Sequence, residues 1–172
     1  IMQRWIGAPA AIVRTMPNTP ALLGSGATGM FANKNVTPLH SSLAESIMRS
    51  VGLAVWVKQE RDLDIVTAIS GSGPAYFFKL IEAMSESAQG LGLAPDIANP
   101  LIMQTALGAA KMALESDDVA ALRERVTSKG GTTAAALGVL TEQGFDAIID
   151  KAVRAASSRS RELGETVNGD EE

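Results

Sequence analysis

The sequence contains no cysteine and a single histidine, His40. Without cysteine the protein forms no disulfide bond and has no thiolate to act as a nucleophile or a metal ligand. One histidine does not support a histidine-based metal site, so we expect no bound metal. His40 follows Thr37-Pro38-Leu39, residues typical of a helix start, and is expected to be a solvated surface side chain. Thiolate chemistry is therefore excluded and metal chemistry is unsupported.

Long apolar runs and clusters of basic residues are also lacking. No stretch reaches the roughly 20 apolar residues that a membrane-spanning helix needs, and the start Ile1-Met2-Gln3-Arg4-Trp5 is not a signal peptide. The net charge is −4 and no Lys/Arg cluster forms a basic face, which argues against a nucleic-acid partner. A hydrophobic content of 46% with 20% charged residues is typical of globular proteins. We expect a cytoplasmic protein that binds neither membrane nor nucleic acid.

The first third of the chain has the pattern of half an α/β domain. Apolar runs at Ala10–Val13, Gly26–Ala32 and Leu53–Val57 predict strands, and the third is expected to be buried on both faces. Pro38–Val51 places its apolar residues at helical spacing, and Gly52 is expected at the C′ position that ends the helix.

After a charge shift at Lys58–Asp62 the strand signals stop and only helices are predicted. The predicted helices lie around Ile65–Ile69, from Pro74 to Gly90, from Pro95 to Glu115, over Val119–Arg125, over Thr133–Glu142 and from Phe145 onward. The helix that begins at Pro95 is apolar around most of its circumference, which predicts burial on several sides, as at a subunit interface. Glu165–Glu172 is acidic and aperiodic, and is expected to be a frayed tail.

The most informative stretch is Val126–Leu140, in which polar and glycine residues lead into an alanine-rich helix. Gly130 and Gly131 allow positive φ and close backbone approach to a ligand, and Thr132 or Thr133 is a natural N-cap. Such a turn presents backbone N–H groups and the positive end of a helix dipole, which suits a small anion. From these residues alone, an ordinary capped loop remains the alternative.

Four segments together resemble one enzyme family, the Δ1-pyrroline-5-carboxylate reductases. They are Thr127-Ser128-Lys129-Gly130-Gly131-Thr132-Thr133 with the following alanines, Arg14–Pro20 with Gly24–Ala27, Ser70-Gly71-Ser72-Gly73-Pro74-Ala75-Tyr76, and Arg159–Gly164 at the end of the last helix. They occur in the expected order, and the resemblance extends from about Ala10 to Gly164.

The resemblance implies a fold of α/β plus all-α type. Residues 1–61 are expected to be the C-terminal part of a Rossmann-type NAD(P)-binding domain, 62–164 a helical dimerisation and catalytic domain, and 165–172 a flexible acidic tail. Gly24–Gly29 matches the string G-x-G-x-x-G but has no strand directly before it and no helix opening on it, so we reject it as a dinucleotide fingerprint. The sequence is therefore expected to begin partway through the nucleotide domain and to bind NADPH weakly on its own.

The same resemblance implies the reaction and the residues that carry it. The expected reaction is reduction of Δ1-pyrroline-5-carboxylate to L-proline by NADPH or NADH, the last step of proline biosynthesis, in a homodimer that sometimes assembles further. Thr133 is the candidate catalytic residue; Ser128, Gly130, Gly131 and Thr132 are the candidate substrate-binding residues; Met16, Pro17, Asn18 and Pro74 are the candidate cofactor-binding residues. Pro74 is equally well explained as a proline in the first turn of a helix.

Two other classes of function remain open on the sequence. One is a different Rossmann-plus-helical imine or β-hydroxyacid reductase. Such enzymes carry a catalytic lysine on the long helix after the nucleotide domain, where Lys79 is the lysine available. The other is a non-catalytic oligomerisation module, which the lack of a glycine-rich dinucleotide turn favours.

Overall fold

The structure, a computed structural model, describes residues 5–169. The strands are β1 (Val13–Met16), β2 (Gly26–Ala32) and β3 (Gly52–Trp56), and a short 3-10 helix covers Thr19–Leu23. The helices are α1 (Pro38–Arg49), α2 (Asp62–Val66), α3 (Gly73–Gly90), α4 (Pro95–Leu114), α5 (Val119–Arg125), α6 (Thr132–Glu142) and α7 (Phe145–Gly169), with a π-helical turn over Thr67–Gly71. The bounds predicted for β2 and α5 are confirmed, as are the starts of α4 at Pro95 and α7 at Phe145.

The chain divides into two compact units. The sheet unit contains the chain up to Ala75 together with the segment from Asp150 onward, and the helical unit is Tyr76–Ile149. This division differs from the predicted boundary after residue 61, because α2 packs on the sheet and the later part of α7 bonds to α2. The Ser160 hydroxyl of α7 donates a hydrogen bond to Asp64 Oδ1 of α2 at 2.7 Å. The predicted domain boundary itself remains a prediction.

In the sheet unit, β2 lies at the centre of a three-stranded sheet of order β1-β2-β3. It pairs antiparallel with β1 (Val13 opposite Ala32) and parallel with β3 (Gly26 opposite Gly52). Gly52 has φ +147, and a Cβ there would overlap the backbone of Gly26. Glycine is therefore needed at residue 52 for this close contact between strands. The prediction that Gly52 is the C′ residue of α1 is wrong, because the C-cap of α1 is Ser50.

The first strand starts at Val13, so the predicted start at Ala10 is wrong. Several backbone groups of the preceding residues bond to side chains of the loop after β2, although the Ile12 carbonyl accepts from the backbone N–H of Asn33 at 3.0 Å. Ile12 N–H donates to Asn33 Oδ1 at 3.2 Å, and the Ala10 carbonyl accepts from Asn33 Nδ2 at 2.8 Å and from Asn35 Nδ2 at 3.0 Å.

Helices cover opposite faces of this sheet. The Trp56 indole N–H donates to Glu45 Oε2 of α1 at 2.8 Å, which places α1 on the face to which Trp56 points. A Cβ at Gly29 would lie 2.7 Å from Val66 Cγ1 of α2, and Gly29 pairs with Val55, a neighbour of Trp56 that points the other way. Ala54 is buried but Leu53 is 58% exposed. The prediction that β3 is buried on both faces is therefore wrong, because α2 covers the sheet at β2 but leaves Leu53 uncovered.

In the helical unit, α4 is apolar but little of it is buried within one chain. Ala98 and Ile102 are its buried residues, while Leu101, Met103, Leu107 and Met112 are about half exposed or more. The described residues contain no helix long and apolar enough to cross a membrane. The predicted burial of α4 on several sides thus requires a surface beyond the described chain.

Three helix ends correct or complete the sequence analysis. Gly131 is the N-cap of α6, which starts at Thr132, so the predicted threonine cap is wrong. Helix α7 continues to Gly169 with the Thr166 hydroxyl bonded to the Glu162 carbonyl at 2.9 Å, whereas a tail was expected from Glu165; residues 170–172 lie outside the described residues. His40 is exposed as predicted, and its Nδ1 accepts from Thr37 N–H in a capping box.

Candidate functional site

A tight turn formed by Ser128-Lys129-Gly130-Gly131 leads into α6 in the helical unit. Gly131 N–H donates to the Ser128 carbonyl at 3.0 Å, which closes the turn. Gly130 has φ +73, as predicted, and nothing lies within 4 Å of a Cβ built there. Gly131 has φ −81, so its lack of a side chain serves a different purpose: a Cβ would overlap the Ser128 hydroxyl. Glycine is therefore favoured at 130 by its positive φ, whereas a Cβ at 131 would displace the Ser128 hydroxyl.

The N-terminus of α6 presents unbonded donors. The first N–H groups of a helix have no intrahelical partner, and no side chain of the described residues caps α6. These donors belong to Thr132, Thr133 and Ala134, since Ala135 N–H already bonds to the Gly131 carbonyl at 3.1 Å. The N–H of Gly131, a candidate substrate-binding residue, is used in the turn. The unbonded donors therefore begin at Thr132, and anion binding by them stays a prediction.

The Thr133 hydroxyl is not committed to the protein. Four threonines in or directly after helices bond back to the carbonyl four residues earlier; they are Thr67, Thr105, Thr127 and Thr166. Thr133 is half-buried and its hydroxyl makes no hydrogen bond with any described residue. Because the residue four positions before it precedes the helix, the usual acceptor is lost. Its hydroxyl is therefore available to a ligand.

Three of the predicted cofactor-binding residues, Met16, Pro17 and Asn18, lie at the end of β1 in the sheet unit. Met16 is the last residue of the strand and is half-buried, Pro17 is exposed, and Asn18 precedes the 3-10 helix. Asn18 Oδ1 accepts from Ala27 N–H at 2.8 Å, and its Nδ2 donates to the Ser70 carbonyl at 3.0 Å. Both ends of this side chain are therefore engaged within the protein.

The Ser70–Pro74 segment lies directly beside Met16–Asn18. The π-helical turn over Thr67–Gly71 is closed by the bond from Ser72 N–H to the Thr67 carbonyl at 2.8 Å. A Cβ at Gly71 would lie 2.6 Å from Met16 Cε, so the methionine side chain rests against the glycine. Pro74 is in the first turn of α3, as predicted. The structure thus brings Met16, Asn18 and the Ser70–Pro74 segment together. The sequence analysis did not identify Ser70 and Gly71 as contacts of Met16–Asn18, although their glycine-rich string was a signal.

These residues fit a nicotinamide ring in chemical terms. A thioether and a proline offer apolar contact to a flat ring, and neither Met16-Pro17-Asn18 nor Ser70–Pro74 contains a charged residue that would repel or trap it. Metal ligands do not accompany them, since the described residues contain no group of three or more His, Cys, Asp or Glu side chains that could hold an ion.

The environment of Lys79 does not favour a lysine-dependent reductase. Its Nζ bonds to Glu82 Oε2 at 2.6 Å on the exposed surface of α3. This hydrogen bond, supported by the Coulombic attraction of Glu82, raises the pKa of Lys79. A lysine that serves as a general base needs a lowered pKa. The alternative of an imine or β-hydroxyacid reductase with a catalytic lysine therefore loses support.

Comparison with known proteins agrees with the geometry. A sequence model described as pyrroline-5-carboxylate reductase dimerisation matches residues 60–163. The chain is 49% identical over 165 residues to the pyrroline-5-carboxylate reductase of Pseudomonas aeruginosa. The match covers 95% of this chain and 60% of that relative. The reductase of Haemophilus influenzae is 48% identical over 155 residues, and 57% of its length is covered. The chain thus spans about three-fifths of the length of these curated relatives.

Solved structures give the same result. The pyrroline-5-carboxylate reductase of Coxiella burnetii superposes with a TM-score of 0.91 at 48% identity, over 94% of this chain and 60% of that one. The Plasmodium falciparum pyrroline carboxylate reductase, solved with NADP bound, gives 0.87 at 35% identity over 95% of this chain and 66% of that one. With a family match over more than half of its residues, the chain belongs to the pyrroline-5-carboxylate reductase family.

Proposed function

We propose that the protein reduces Δ1-pyrroline-5-carboxylate to L-proline with NADPH or NADH as the reductant. The observation that carries the proposal is the uncommitted Thr133 hydroxyl beside the open N-terminus of α6. Family membership supports the reaction, and a relative from Plasmodium falciparum is described with NADP bound. A cytoplasmic location and assembly into a homodimer belong to the same proposal.

The substrate carboxylate binds at the start of α6. Its negative charge accepts hydrogen bonds from the N–H groups of Thr132, Thr133 and Ala134, and the helix dipole favours an anion at this end. Gly130 leaves the approach open, because no atom lies within 4 Å of a Cβ at that position. Ser128 holds the turn through its carbonyl and lies against Gly131, so its role is to shape the site.

Thr133 acts on the ring nitrogen of the substrate. When bound, the reduced nicotinamide supplies the hydride that converts the C=N bond into an amine. The nitrogen gains electron density as the bond is reduced, and a hydroxyl within hydrogen-bond distance stabilises it or passes it a proton. Met16 and Pro17 offer the apolar wall for the nicotinamide ring, and Pro74 lies in the adjoining segment. Alignment of two reactants contributes about 7–11 kcal/mol to such reactions in favourable cases.

The test is an assay of NADPH oxidation with pyrroline-5-carboxylate as the substrate, applied to the purified protein and to the Thr133→Ala variant. We expect pyrroline-5-carboxylate-dependent oxidation in the wild type at high NADPH concentration, since NADPH is expected to bind weakly to this chain. In Thr133→Ala, kcat should fall by roughly 10²-fold with a much smaller change in KM, because the hydroxyl acts mainly as charge changes at nitrogen. Thr133→Ser should restore most of kcat.

Thr141→Ala is the matched control, since Thr141 is an exposed threonine near the other end of the same helix. It should leave both constants unchanged. Neither alanine variant should lose the roughly 1 kcal/mol of an N-cap threonine, because Gly131 is the N-cap. Near-normal kcat in folded Thr133→Ala would rule out the catalytic role, and no turnover by the wild type even at saturating NADPH would rule out the reaction for this chain.

A further inference from the structure

Pro74 leaves the backbone carbonyl of Ser70 without its usual hydrogen-bond donor. In a continuous α-helix the carbonyl of Ser70 would accept from the N–H four residues later. That residue is Pro74, which has no N–H. The next amide does not replace it, because Ala75 N–H donates to the Ser72 carbonyl at 3.0 Å. The half-buried Ser70 carbonyl therefore needs a donor from another part of the chain.

Asn18 supplies that donor. Its Nδ2 lies 3.0 Å from the Ser70 carbonyl, and its Oδ1 accepts at 2.8 Å from the N–H of Ala27, the second residue of β2. One side chain thus ties three segments together: the loop after β1, the start of β2 and the π-helical turn. The two segments are complementary. Pro74 in the Ser70–Tyr76 segment lacks an N–H, and Asn18 in the Arg14–Pro20 segment carries the amide that donates instead.

The bridge lies close to Met16, the last residue of β1. Met16 is two residues before Asn18, and its Cε occupies the space that a side chain at residue 71 would fill. The contact depends on the distance between the end of β1 and the π-helical turn. The Asn18 amide spans the same two segments through its bond to the Ser70 carbonyl.

We propose that the side chain of Asn18 is a positioning residue that joins the Met16–Asn18 loop to the Ser70 carbonyl left open by Pro74, and so fixes Met16 for contact with the nicotinamide. The placement of Met16 is a property of the fold, and its consequence for hydride transfer rests on the function proposed above. Asn18 thereby acts through the loop and through Met16.

The test uses the methyl signal of Met16 in protein labelled with [methyl-¹³C]methionine. The signal is assigned by its loss in Met16→Leu. In Asn18→Ala we expect this signal to shift towards the value of a freely rotating methionine, and in Asn18→Asp to shift part of the way. Aspartate can still accept from Ala27 N–H but cannot donate to the Ser70 carbonyl, so it removes one half of the bridge.

Asn33→Ala is the matched control. Asn33 follows β2 and makes a similar two-ended bridge, with Oδ1 accepting from Ile12 N–H and Nδ2 donating to the Ala10 carbonyl. It should lose stability comparably and leave the Met16 signal in place. An unchanged Met16 signal in Asn18→Ala, or an equal shift in Asn33→Ala, would overturn the proposal.

Pro74→Ala tests the origin of the bridge. The substitution restores an N–H that can donate to the Ser70 carbonyl, so Asn18→Ala should cost less stability in this background than in the wild type. Equal costs in the two backgrounds would contradict the link between Asn18 and Pro74.

Kinetics then separate this inference from the proposed function. If the wild type turns over, Asn18→Ala should raise the KM for NADPH about tenfold or lower kcat, with Asn33→Ala unchanged in both; unaltered constants would overturn the catalytic consequence. If the wild type does not turn over, the proposed function fails, while the Met16 signal still decides whether Asn18 places Met16.

Discussion

At the scale of single residues, Gly52 shows how one position can fix the pairing of two strands. Its φ is +147, a conformation that L side chains rarely adopt, and a Cβ would overlap the Gly26 backbone. We expect Gly52→Ala to lower the free energy of unfolding by about 2 kcal/mol or more, since the new methyl group meets backbone and not a flexible side chain. Denaturant unfolding of the purified variant measures the loss.

Gly138→Ala is the control for that measurement. Gly138 is inside α6, no atom lies within 4 Å of a Cβ there, and its φ is not positive. The substitution should raise stability by roughly 0.5–1 kcal/mol, because alanine favours the helix. If Gly52→Ala were as stable as the wild type, the close contact between β2 and β3 would be refuted.

The sequence predicted the turn before α6 but not the contacts that the candidate site residues make, and their roles stay predictions. A glycine pair before an alanine-rich helix indicates a turn, and Gly130 has the expected positive φ. Gly131, however, has a negative φ and lies against the Ser128 hydroxyl, a contact that depends on the path of the whole turn. Likewise, Asn18 was predicted from its segment, but its bonds reach Ala27 and Ser70. Such partners are distant along the chain, so local pattern cannot identify them.

At the scale of secondary-structure elements, α1 is joined to β3 through one carboxylate. Glu45 accepts from the Trp56 indole N–H at 2.8 Å and from Arg49 Nε at 2.7 Å. The hydrogen bond from Trp56, followed by that from Arg49, lowers the pKa of Glu45 below its usual 4.5. With a folded pKa below the unfolded one, the stabilising contribution is present above the unfolded value and is lost as pH falls through the folded value.

We therefore expect the Trp56 indole ¹H resonance to be constant near neutral pH and to move upfield at a midpoint below 4.5. Glu45→Gln should abolish the transition, because the amide does not titrate. Glu60→Gln is the control: Glu60 also pairs with an arginine, Arg14, at 3.2 Å on the surface. A midpoint at or above the usual value in the wild type would show that the indole bond does not stabilise the carboxylate.

The elements themselves were predictable where local signals are strong. Pro95 at a helix start and the short amphipathic run of α5 gave correct bounds. The errors arose where another segment competes for the backbone or the surface. Asn33 takes the hydrogen bonds that would have extended β1 to Ala10, and Leu53 lacks a covering layer although its strand is apolar throughout. The periodicity of apolar residues indicates which face of a segment can be buried. Other segments of the fold decide if that face is covered.

At the scale of the whole molecule, the exposed apolar surface of α4 calls for a second copy of the chain. Leu101, Met103, Leu107 and Met112 are about half exposed or more within one chain, and such a patch is uncommon on a protein that remains monomeric. The matched family is described by its dimerisation, and the match includes all of α4. Many obligate homodimer interfaces bury more than about 2,000 Å² of mostly apolar surface.

We expect the protein to be a dimer at micromolar concentration, with a melting temperature that rises with concentration because dissociation accompanies unfolding. Leu107→Glu should break the dimer, since one charge from each copy would be buried without a partner. Leu22→Glu is the control: Leu22 is even more exposed but precedes the matched residues 60–163, so its variant should remain dimeric. Light scattering coupled to size exclusion, with circular dichroism on the same fractions, measures mass and folding together. A wild type that elutes as a folded monomer, or a Leu107→Glu variant that keeps the dimer mass, would show that α4 is not the interface.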